Sequence, residues 1–369
     1  MSPRTAVDRV FDILARRLDG PLMVTLVVLA ALSLAVVYSA SGQSSDRTLG
    51  QARNFAVALV VLWVAAKIPP QQLMRLAVPI YLAGLGLLIS VALFGDIRNG
   101  ARRWLNLGFV TVQPSEIMKV GVPLLLAAYF HRKEEGLSVK DYAIAGLILM
   151  LPTGLIMRQP DLGTSVLIFA SGFFVIFLAG LSWKLLISGV VAGLAALPLA
   201  WPMLHDYQRN RVLTLLDPNS DPLGAGYHII QSTIAIGSGG VFGKGWLNGS
   251  QSQLDFIPER STDFILAVLG EEFGLIGLLL LITLYMIVIG RGLMIALNAP
   301  TTFSRLLAGA ITMTFFTYAF VNIGMVSGVL PVVGVPLPLV SYGGTAILSM
   351  FMGFGILMSI ASHKRLVST

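Results

Sequence analysis

The sequence predicts an all-α polytopic membrane protein with about ten transmembrane helices and a large extracytoplasmic loop between the seventh and the eighth. Hydrophobic residues occupy 56% of the 369 positions and charged residues only 12%, whereas a soluble domain carries about 25% charged residues. The mean hydropathy of +0.82 is too high for a water-soluble core of this size. Cysteine is absent, so disulfides and thiolate metal sites are excluded.

Ten segments have the apolar character of a membrane span, which needs roughly 17 to 25 mostly apolar residues. They are 21–40, 54–68, 74–95, 114–131, 142–157, 163–182, 184–201, 264–290, 304–326 and 343–361. The first exceeds the roughly 7–15-residue core of a signal peptide, so we expect an uncleaved span. No linker divides the chain, and residues 1–369 are expected to form a single integral-membrane domain.

The distribution of Lys and Arg predicts the orientation of these spans. With both termini inside, the inner segments hold 14 Lys and Arg residues and the outer segments hold 10. Basic residues near span ends are enriched on the cytoplasmic side, so both termini are expected in the cytoplasm. The net charge of +7 and the pI of about 9.8 follow from this topology and do not indicate nucleic-acid binding.

Two outer connections, 96–113 and about 202–263, are long enough to be functional. Within the second, YHIIQSTIAIGSGGVFGKGW (227–246) is moderately apolar and rich in glycine, which suits a short interfacial or re-entrant element. LPVVGVPLPLVSYGG (330–344) is as apolar as a span, but its three prolines forbid a regular helix. Irregular backbone at membrane depth must be covered by protein or water. Together the two segments favour an outward-facing cavity, although each alone also fits a loop that ends a helix.

Polar residues at the starts of spans are candidates for lining that cavity. In QPSEIMK (113–119), Glu116 and Lys119 share a helix face. A charge inside the bilayer is costly and normally faces a cavity or a partner, so the pair either forms a wall of a substrate site or only neutralises itself. In QPDLGTS (159–165), Asp161 either lines the same cavity or caps a helix.

PERSTDFILAVLGEEFG (258–274) carries the strongest candidate. Ser261, Thr262 and Asp263 precede an apolar run, as at a helix start, yet Glu271 and Glu272 follow about 12 Å deeper at 1.5 Å per residue. Capping does not require that second pair of acids, whose roles stay open. A line of carboxylates running inward favours a polar cleft with Asp263 at its rim.

Basic residues in the outer loops suit a phosphate-bearing ligand, since guanidinium and ammonium groups donate charge-assisted hydrogen bonds to phosphate. The candidates are Arg102, Arg103, Arg209, Arg211 and Lys244. A GSGG run (237–240) offers a further nest of backbone N–H groups. These features fit two classes of protein, a transporter and an enzyme acting on a lipid-linked phosphorylated substrate.

Six motifs decide between the two classes. QPSEIMK, QPDLGTS, HDYQRNRV (205–212), DPLGAGYHIIQSTIAIGSGG (221–240), PERSTDFILAVLGEEFG and GMVSGVLPVVGVPLPLVSYGG (324–344) together closely resemble the SEDS family (shape, elongation, division and sporulation). The resemblance covers nearly the whole chain, with the motifs in the family's order. The compact length is more similar to the elongation branch, which maintains rod shape, than to the division branch.

The resemblance implies a peptidoglycan glycosyltransferase that polymerises glycan strands from lipid II, a disaccharide-pentapeptide on undecaprenyl pyrophosphate, at the outer face of the membrane. It places the family's essential acid on Asp263 and its other sensitive positions on Glu116, Lys119 and Asp161. It also implies a class B penicillin-binding protein transpeptidase as partner, together with the elongation proteins MreB, MreC and MreD.

The chemistry of this reaction suggests a role for each residue. A sugar hydroxyl must lose a proton as it attacks the anomeric carbon, and we expect Asp263 to be the general base. The lipid pyrophosphate leaving group requires positive charge, from the basic candidates or from a divalent cation held by carboxylates. The competing hypotheses are a lipid II flippase, which needs the same cavity, and a non-catalytic scaffold, which has no use for carboxylates buried in spans.

Overall fold

The computed structural model describes residues 18–98, 101–106, 111–133, 136–159, 161–203, 206–218 and 224–363. Thirteen α-helices lie in these ranges. They are α1 Gly20–Ala40, α2 Ser45–Lys67, α3 Pro70–Phe94, α4 Pro114–His131, α5 Val139–Met157, α6 Leu162–Leu178, α7 Trp183–Ala200, α8 Asp206–Leu216, α9 Ala225–Ser238, α10 Ser250–Gln253, α11 Ile265–Leu297, α12 Thr302–Val326 and α13 Gly344–Ser362. Every one of the ten segments expected to span the membrane falls on a long helix of this set.

Seven of the described helices are long and apolar enough to cross a membrane: α1, α2, α3, α5, α11, α12 and α13. The apolar α6 is shorter, with 17 residues, and α4 carries Glu116 and Lys119 near its start. The chain is therefore a mostly helical, multi-pass membrane protein.

Three short strands correct the expectation of an all-α fold. They are β1 Asp96–Arg98, β2 Ala101–Asn106 and β3 Thr111–Val112, which form an antiparallel sheet in the order β1-β2-β3. The sequence signal is a short run that includes Trp104 and Leu105 and ends in the β-branched pair Thr111-Val112, because such residues favour extended backbone. The sheet lies in the connection between α3 and α4.

Local sequence explains where several helices begin. The carboxylate of Asp19 accepts the N–H of Leu22 at the start of α1, and the hydroxyl of Thr301 accepts the N–H of Ser304 at the start of α12. Both bonds satisfy one of the N–H groups that a helix leaves unpaired at its first turn. Pro70 and Pro114 occupy first-turn positions of α3 and α4, where a missing N–H costs nothing.

The core of the molecule is built around α12, whose apolar window is 61% buried, the largest share among the seven spanning helices. Helices α4, α6, α11 and α13 pack around it. The packing of α13 on α2 is closer than most, because a Cβ added at Gly355 would meet the Leu62 carbonyl and lie 2.7 Å from Ala65 Cβ. By contrast, most of the side chains that the structure describes in α7 are exposed.

Contacts at both ends of α1 and α11 show that the two helices run antiparallel across the full thickness of the fold. Arg291 makes a bidentate ion pair with Asp19 at one end, and Ser39 donates to Glu272 at the other. Residues 272 and 291 of one helix are about 28 Å apart at 1.5 Å per residue, close to the thickness of the hydrocarbon core. Asp263 therefore lies at the end of the molecule opposite to the Asp19–Arg291 pair.

The long connection between α7 and α11 contains α8, α9, α10 and the segment 239–249, which we call the re-entrant loop because it turns back onto α11. The loop runs beside the third turn of α11: the N–H of Lys244 donates to Glu271 O (3.0 Å) and that of Leu275 to Gly240 O (2.9 Å). Gly274 has a φ of 62° there and interrupts α11. The GSGG run packs beside this kink and so supports the helix, since a Cβ added at Gly239 would meet the Gly270 carbonyl.

We predict that Gly355→Ala destabilises the protein, since the added methyl group has no space between α13 and α2. Overpacking of this kind costs about 1–3 kcal/mol. Thermal unfolding in detergent should show a lower midpoint than the wild type. Gly146→Ala on α5 is the matched control, because nothing lies within 4 Å of its added Cβ. Equal midpoints for the two variants would contradict the close packing.

Candidate active site

The segment that carries Asp263 is held in place by hydrogen bonds to its main chain. The main-chain carbonyls of residues 261–263 each accept a hydrogen bond from a distant part of the chain. Tyr342 N donates to the first at 2.9 Å, Ser341 Oγ to the second at 2.6 Å, and Asn322 Nδ2 to the third at 2.7 Å. The turn ahead of α11 is thus docked on α12 and on the irregular segment 327–343, which we call the proline loop.

The Asp263 carboxyl is largely covered by the protein. A Cβ added at Gly334 of the proline loop would lie 3.3 Å from Asp263 Oδ2, so the glycine backbone packs against the acid. Burial raises the pKa of Asp263 to about 6, and the negative charge of Glu259 acts in the same direction. The positive charge of Arg211, on α8, opposes both and lowers the pKa. A carboxyl of this kind is ionised at neutral pH but remains a better proton acceptor than an exposed aspartate.

The side chains of Ser261 and Thr262 shape the turn. Arg47, in the first turn of α2, donates to Ser261 Oγ at 3.2 Å. Thr262 donates to Glu259 Oε2 at 2.9 Å. Both predicted supporting residues therefore lie beside Asp263, with their hydroxyls engaged in neighbouring contacts.

Asp161 lies on the other side of the proline loop. Its Oδ1 accepts the N–H of Thr164 at 3.1 Å, so it caps α6, and its Oδ2 lies 3.6 Å from Arg103 Nε. A Cβ added at Gly163 would be 2.7 Å from the Val333 carbonyl. The two alternatives for Asp161 are compatible, since the carboxylate caps a helix with one oxygen and faces a strand arginine with the other.

Glu116 and Lys119 form a close ion pair, with Lys119 Nζ 2.7 Å from Glu116 Oε1. The ammonium group also lies 5.2 Å from the ring centroid of Tyr318 on α12. Glu116 Oε2 is buried and accepts no hydrogen bond among the described residues. Tyr318 lies within electrostatic reach of Asp161 as well, so the three predicted acidic and basic side chains meet around one tyrosine.

The five basic candidates occupy different surroundings. Arg211 lies within electrostatic reach of Asp263, and Arg103 faces Asp161. Arg209 donates to the carbonyls of residues 201 and 202, which ties α8 to the end of α7. Lys244 is bound by Glu271 at 2.7 Å, and Arg102 is exposed on β2.

Glu271 and Glu272 anchor the loop between α9 and α11. Glu271 is fully buried and accepts hydrogen bonds from Lys244 Nζ, from Ser250 Oγ and from the N–H groups of residues 251 and 252. Glu272, 1% exposed, accepts the hydroxyl of Ser39 on α1. The two inner acids therefore hold the re-entrant loop and α1 against α11.

An apolar groove opens beside the Glu116 pair. It has a volume of about 320 Å³ and runs between α2, α3, α4 and α13. Its walls include Val61, Ile80, Ile117 and Met352, and its polar end is formed by Gln113 and Glu116. The groove thus joins an apolar surface to the charged cluster.

Among the described residues, no group of three or more His, Asp and Glu side chains is close enough together to hold a metal ion. The divalent cation suggested by the leaving group has no three-ligand protein site in that part of the chain.

Two polar residues of the site were missed by the sequence analysis. Gln51 of α2 is fully buried and donates to Ser33 Oγ (3.1 Å) and to the carbonyl of Ser341 (3.0 Å). Asn322 of α12 is fully buried and donates to Asp263 O and to Val335 O, both at 2.7 Å. A signal was available for Asn322, since an amide in an apolar span is as unusual as a charge.

We predict that Glu271→Ala releases the re-entrant loop, because four donors lose their acceptor. Trypsin should then cleave after Lys244 at least about tenfold faster than in the wild type, because the free energy of local opening of the loop falls by roughly 1–3 kcal/mol. Asp46→Ala, which removes an exposed acid from the first turn of α2, serves as the control. Cleavage of the Glu271 variant at the control rate would show that the loop is held by other contacts.

Comparison of sequences identifies the family. Residues 21–366 match the family described as cell cycle protein, which groups FtsW, RodA and SpoVE. The chain is 54% identical over 355 residues to peptidoglycan glycosyltransferase MrdB of Escherichia coli K12, with 95% of each chain covered. It is 34% identical to the probable peptidoglycan glycosyltransferase FtsW of Coxiella burnetii, covering 93% of this chain and 96% of that one.

Solved structures agree. A chain from a structure on the coordination of polymerization and crosslinking by a peptidoglycan synthase complex superposes with a TM-score of 0.82 at 34% identity, covering 94% of this chain and 98% of that one. The rod shape determining protein RodA of Thermus thermophilus gives a TM-score of 0.72 at 28% identity, covering 94% and 97%. The resemblance to the SEDS family is therefore confirmed: the chain belongs to the FtsW/RodA/SpoVE family of cell cycle proteins.

Proposed function

We propose that the chain is a peptidoglycan glycosyltransferase that polymerises glycan strands from lipid II during cell elongation. The observation that carries this conclusion is the 54% identity, over 95% of both chains, to a relative named peptidoglycan glycosyltransferase MrdB. The fold match to RodA of Thermus thermophilus supports the assignment to the elongation branch of the family.

Asp263 is the general base of this proposal. Its carboxyl is covered by the backbone of Gly334 and has a pKa of about 6. The group is therefore ionised at neutral pH, and its pKa lies close to the operating pH, as is best for a general base. It takes the proton of the acceptor sugar hydroxyl while the hydroxyl oxygen attacks the anomeric carbon of the donor. The donor linkage is α and the polymer linkage β, so a single inverting displacement without a covalent enzyme intermediate accounts for the product.

Positive charge for the departing pyrophosphate comes from the basic side chains nearest the two acids. Arg211 is within electrostatic reach of Asp263, and Arg103 faces Asp161. Charge on the leaving oxygen grows as the glycosidic bond breaks, and preorganised cations stabilise such charge best. Lys244 and Arg209 are less suited, because Glu271 and two main-chain carbonyls already engage them.

The apolar groove beside Glu116 suits the polyprenyl tail of the substrate. It opens between α2, α3, α4 and α13, so a lipid in the bilayer can enter sideways while its head reaches the polar cluster. Burial of apolar surface contributes about 25 cal/mol per Å², which favours the tail in the groove. Glu116, Lys119 and Asp161 then form the polar wall next to the head group.

The proposed topology has all ten long helices crossing the cytoplasmic membrane, with both termini in the cytoplasm and Asp263 facing outward. Basic residues concentrated in the inner segments support it. We further propose a class B penicillin-binding protein transpeptidase as partner, because the fold matches a chain of a peptidoglycan synthase complex that couples polymerization to crosslinking. MreB, MreC and MreD complete the proposed elongation assembly.

We predict that the purified protein, alone or with its partner transpeptidase, converts labelled lipid II to polymer, and that Asp263→Ala lowers the rate by about 10²- to 10⁴-fold, the usual contribution of a positioned general base. Gel analysis of the polymer measures this. Asp46→Ala is the control for an unrelated acid. Transport of lipid II without polymer would favour a flippase, and full activity of the Asp263 variant would favour another base or a scaffold role.

The pH dependence of the reaction provides an independent prediction. Because the base must be ionised and the pKa of Asp263 in the unliganded protein is raised to about 6, kcat/KM should be constant above about pH 7 and fall about tenfold per unit below pH 6. Initial polymerisation rates at lipid II concentrations well below KM measure this acid limb. An acid limb near pH 4, the ordinary value for aspartate, would contradict the buried environment of Asp263.

A further inference from the structure

We propose that Asn322 is a positioning residue for the glycosyl-transfer reaction: its side-chain amide clamps the main chain of Asp263 to that of Val335, and so holds Gly334 of the proline loop over the catalytic carboxylate. This inference rests on the proposed role of Asp263 as base. Asn322 touches neither substrate nor the reacting atoms in this scheme and acts only through Asp263.

The geometry of the clamp uses both amide hydrogens. Asn322 Nδ2 donates to Asp263 O and to Val335 O, each at 2.7 Å, and the residue is fully buried. A primary amide has two N–H donors in one plane, so it bridges two carbonyls that otherwise repel each other. The two clamped residues belong to segments about 70 positions apart in the chain, so packing of neighbouring residues cannot hold them together.

The clamp controls the cover of the carboxylate. Gly334 precedes Val335, has a φ of +72°, and approaches Asp263 Oδ2 so closely that an added Cβ would lie 3.3 Å away. If the Val335 carbonyl is released, the glycine backbone can retreat and water can reach the acid. Asp263 then loses both its fixed position and its desolvated surroundings.

The other groups that face Asp263 do not depend on this clamp. Glu259 belongs to the same turn and Arg211 comes from α8, and both act on the Asp263 carboxyl. His228 of α9 stacks on the neighbouring Phe264, with ring centroids 5.2 Å apart, and Arg47 contacts Ser261. Loss of the amide therefore changes burial by the proline loop while these side chains remain.

Asn322 also lies one turn after Tyr318 on the same face of α12. Tyr318 contacts Lys119 of the Glu116 pair, and Asn322 contacts the Asp263 segment. A single buried helix thus sets the spacing between the base and the polar wall, as a positioning role requires.

The test compares Asn322→Asp and Asn322→Leu with the wild type and with Thr312→Val in lipid II polymerisation. The first keeps the shape but removes both donors, and the second removes all polarity. Thr312 is a suitable control because it is 2% exposed on the same helix and its hydroxyl bonds only the carbonyl of Ala308 among the described residues. We expect kcat of both Asn322 variants to fall about 10- to 100-fold, the effect of a displacement near 1 Å, with KM for lipid II within twofold and the control unchanged.

The pH profile separates positioning from a loss of folded protein, because folded fraction scales the rate without moving a pKa. The acid limb of Asn322→Leu should shift from about pH 6 towards the ordinary value near 4. Asn322→Asp is compared by kcat alone, because its new carboxyl lies beside Asp263 and would itself raise the pKa of that residue. Gly334→Ala, which disturbs the same cover from the proline loop, should show the same loss of kcat. An acid limb that stays at pH 6, or a kcat equal to that of the control, would overturn the proposal.

The same assays distinguish an error in the proposed role of Asp263 from an error in the proposed role of Asn322. If Asp263→Ala polymerises lipid II at the wild-type rate, the role of Asp263 is wrong. If Asp263→Ala is inactive while both Asn322 variants behave like the Thr312 control, Asp263 keeps its role and only the positioning by Asn322 is refuted.

Discussion

The docking of three consecutive carbonyls, those of residues 261–263, on α12 and the proline loop is the constraint on which the site depends. A catalytic acid ahead of a helix would ordinarily lie on a mobile turn. Here the donors Asn322, Ser341 and Tyr342 fix its backbone, so the side chain has few positions left. Since Asn322 and Ser341 are buried, their bonds are costly to break, and the acid is held without using its own carboxylate.

The proline loop explains how a carboxylate can be both held and available. A regular helix between α12 and α13 would present side chains to Asp263, whereas Pro331, Pro336 and Pro338 keep the segment out of a helix, and Gly334 presents bare backbone. The same loop receives Gly163 on its other side, which brings the Asp161 cap within the site. One irregular segment therefore joins the two acids that were 102 positions apart in sequence.

Much of this arrangement could be predicted from sequence, because polar and charged side chains are costly inside a bilayer and therefore mark functional positions. The spans follow from runs of apolar residues, and Glu116, Lys119, Asp161 and Asp263 were found as charges where charge is expensive. The partners of these residues could not be predicted. Nothing in the local sequence shows that Glu271 takes Lys244 away from the ligand, or that Arg209 binds main-chain carbonyls, because these contacts depend on how the long outer connection folds back on α11. The short sheet between α3 and α4 was missed although the run that includes Trp104 and Leu105 offered a local signal for it.

Because α11 is fixed at both ends, the turn that precedes it and carries Asp263 keeps a constant position. The helix is tied near its N-terminal end through Glu272 to α1, and near its C-terminal end through Arg291 to Asp19. With both ends fixed, the positive φ at Gly274 lets the re-entrant loop pack into the helix without displacing the turn that precedes it. General-base catalysis requires a proton acceptor within hydrogen-bond reach of its substrate at each turnover, and a polymerase repeats that encounter with every added unit. An acid at the end of a clamped helix would meet this requirement in its proposed role as base, and the groove between α2, α3, α4 and α13 is the proposed route for the lipid part of the substrate.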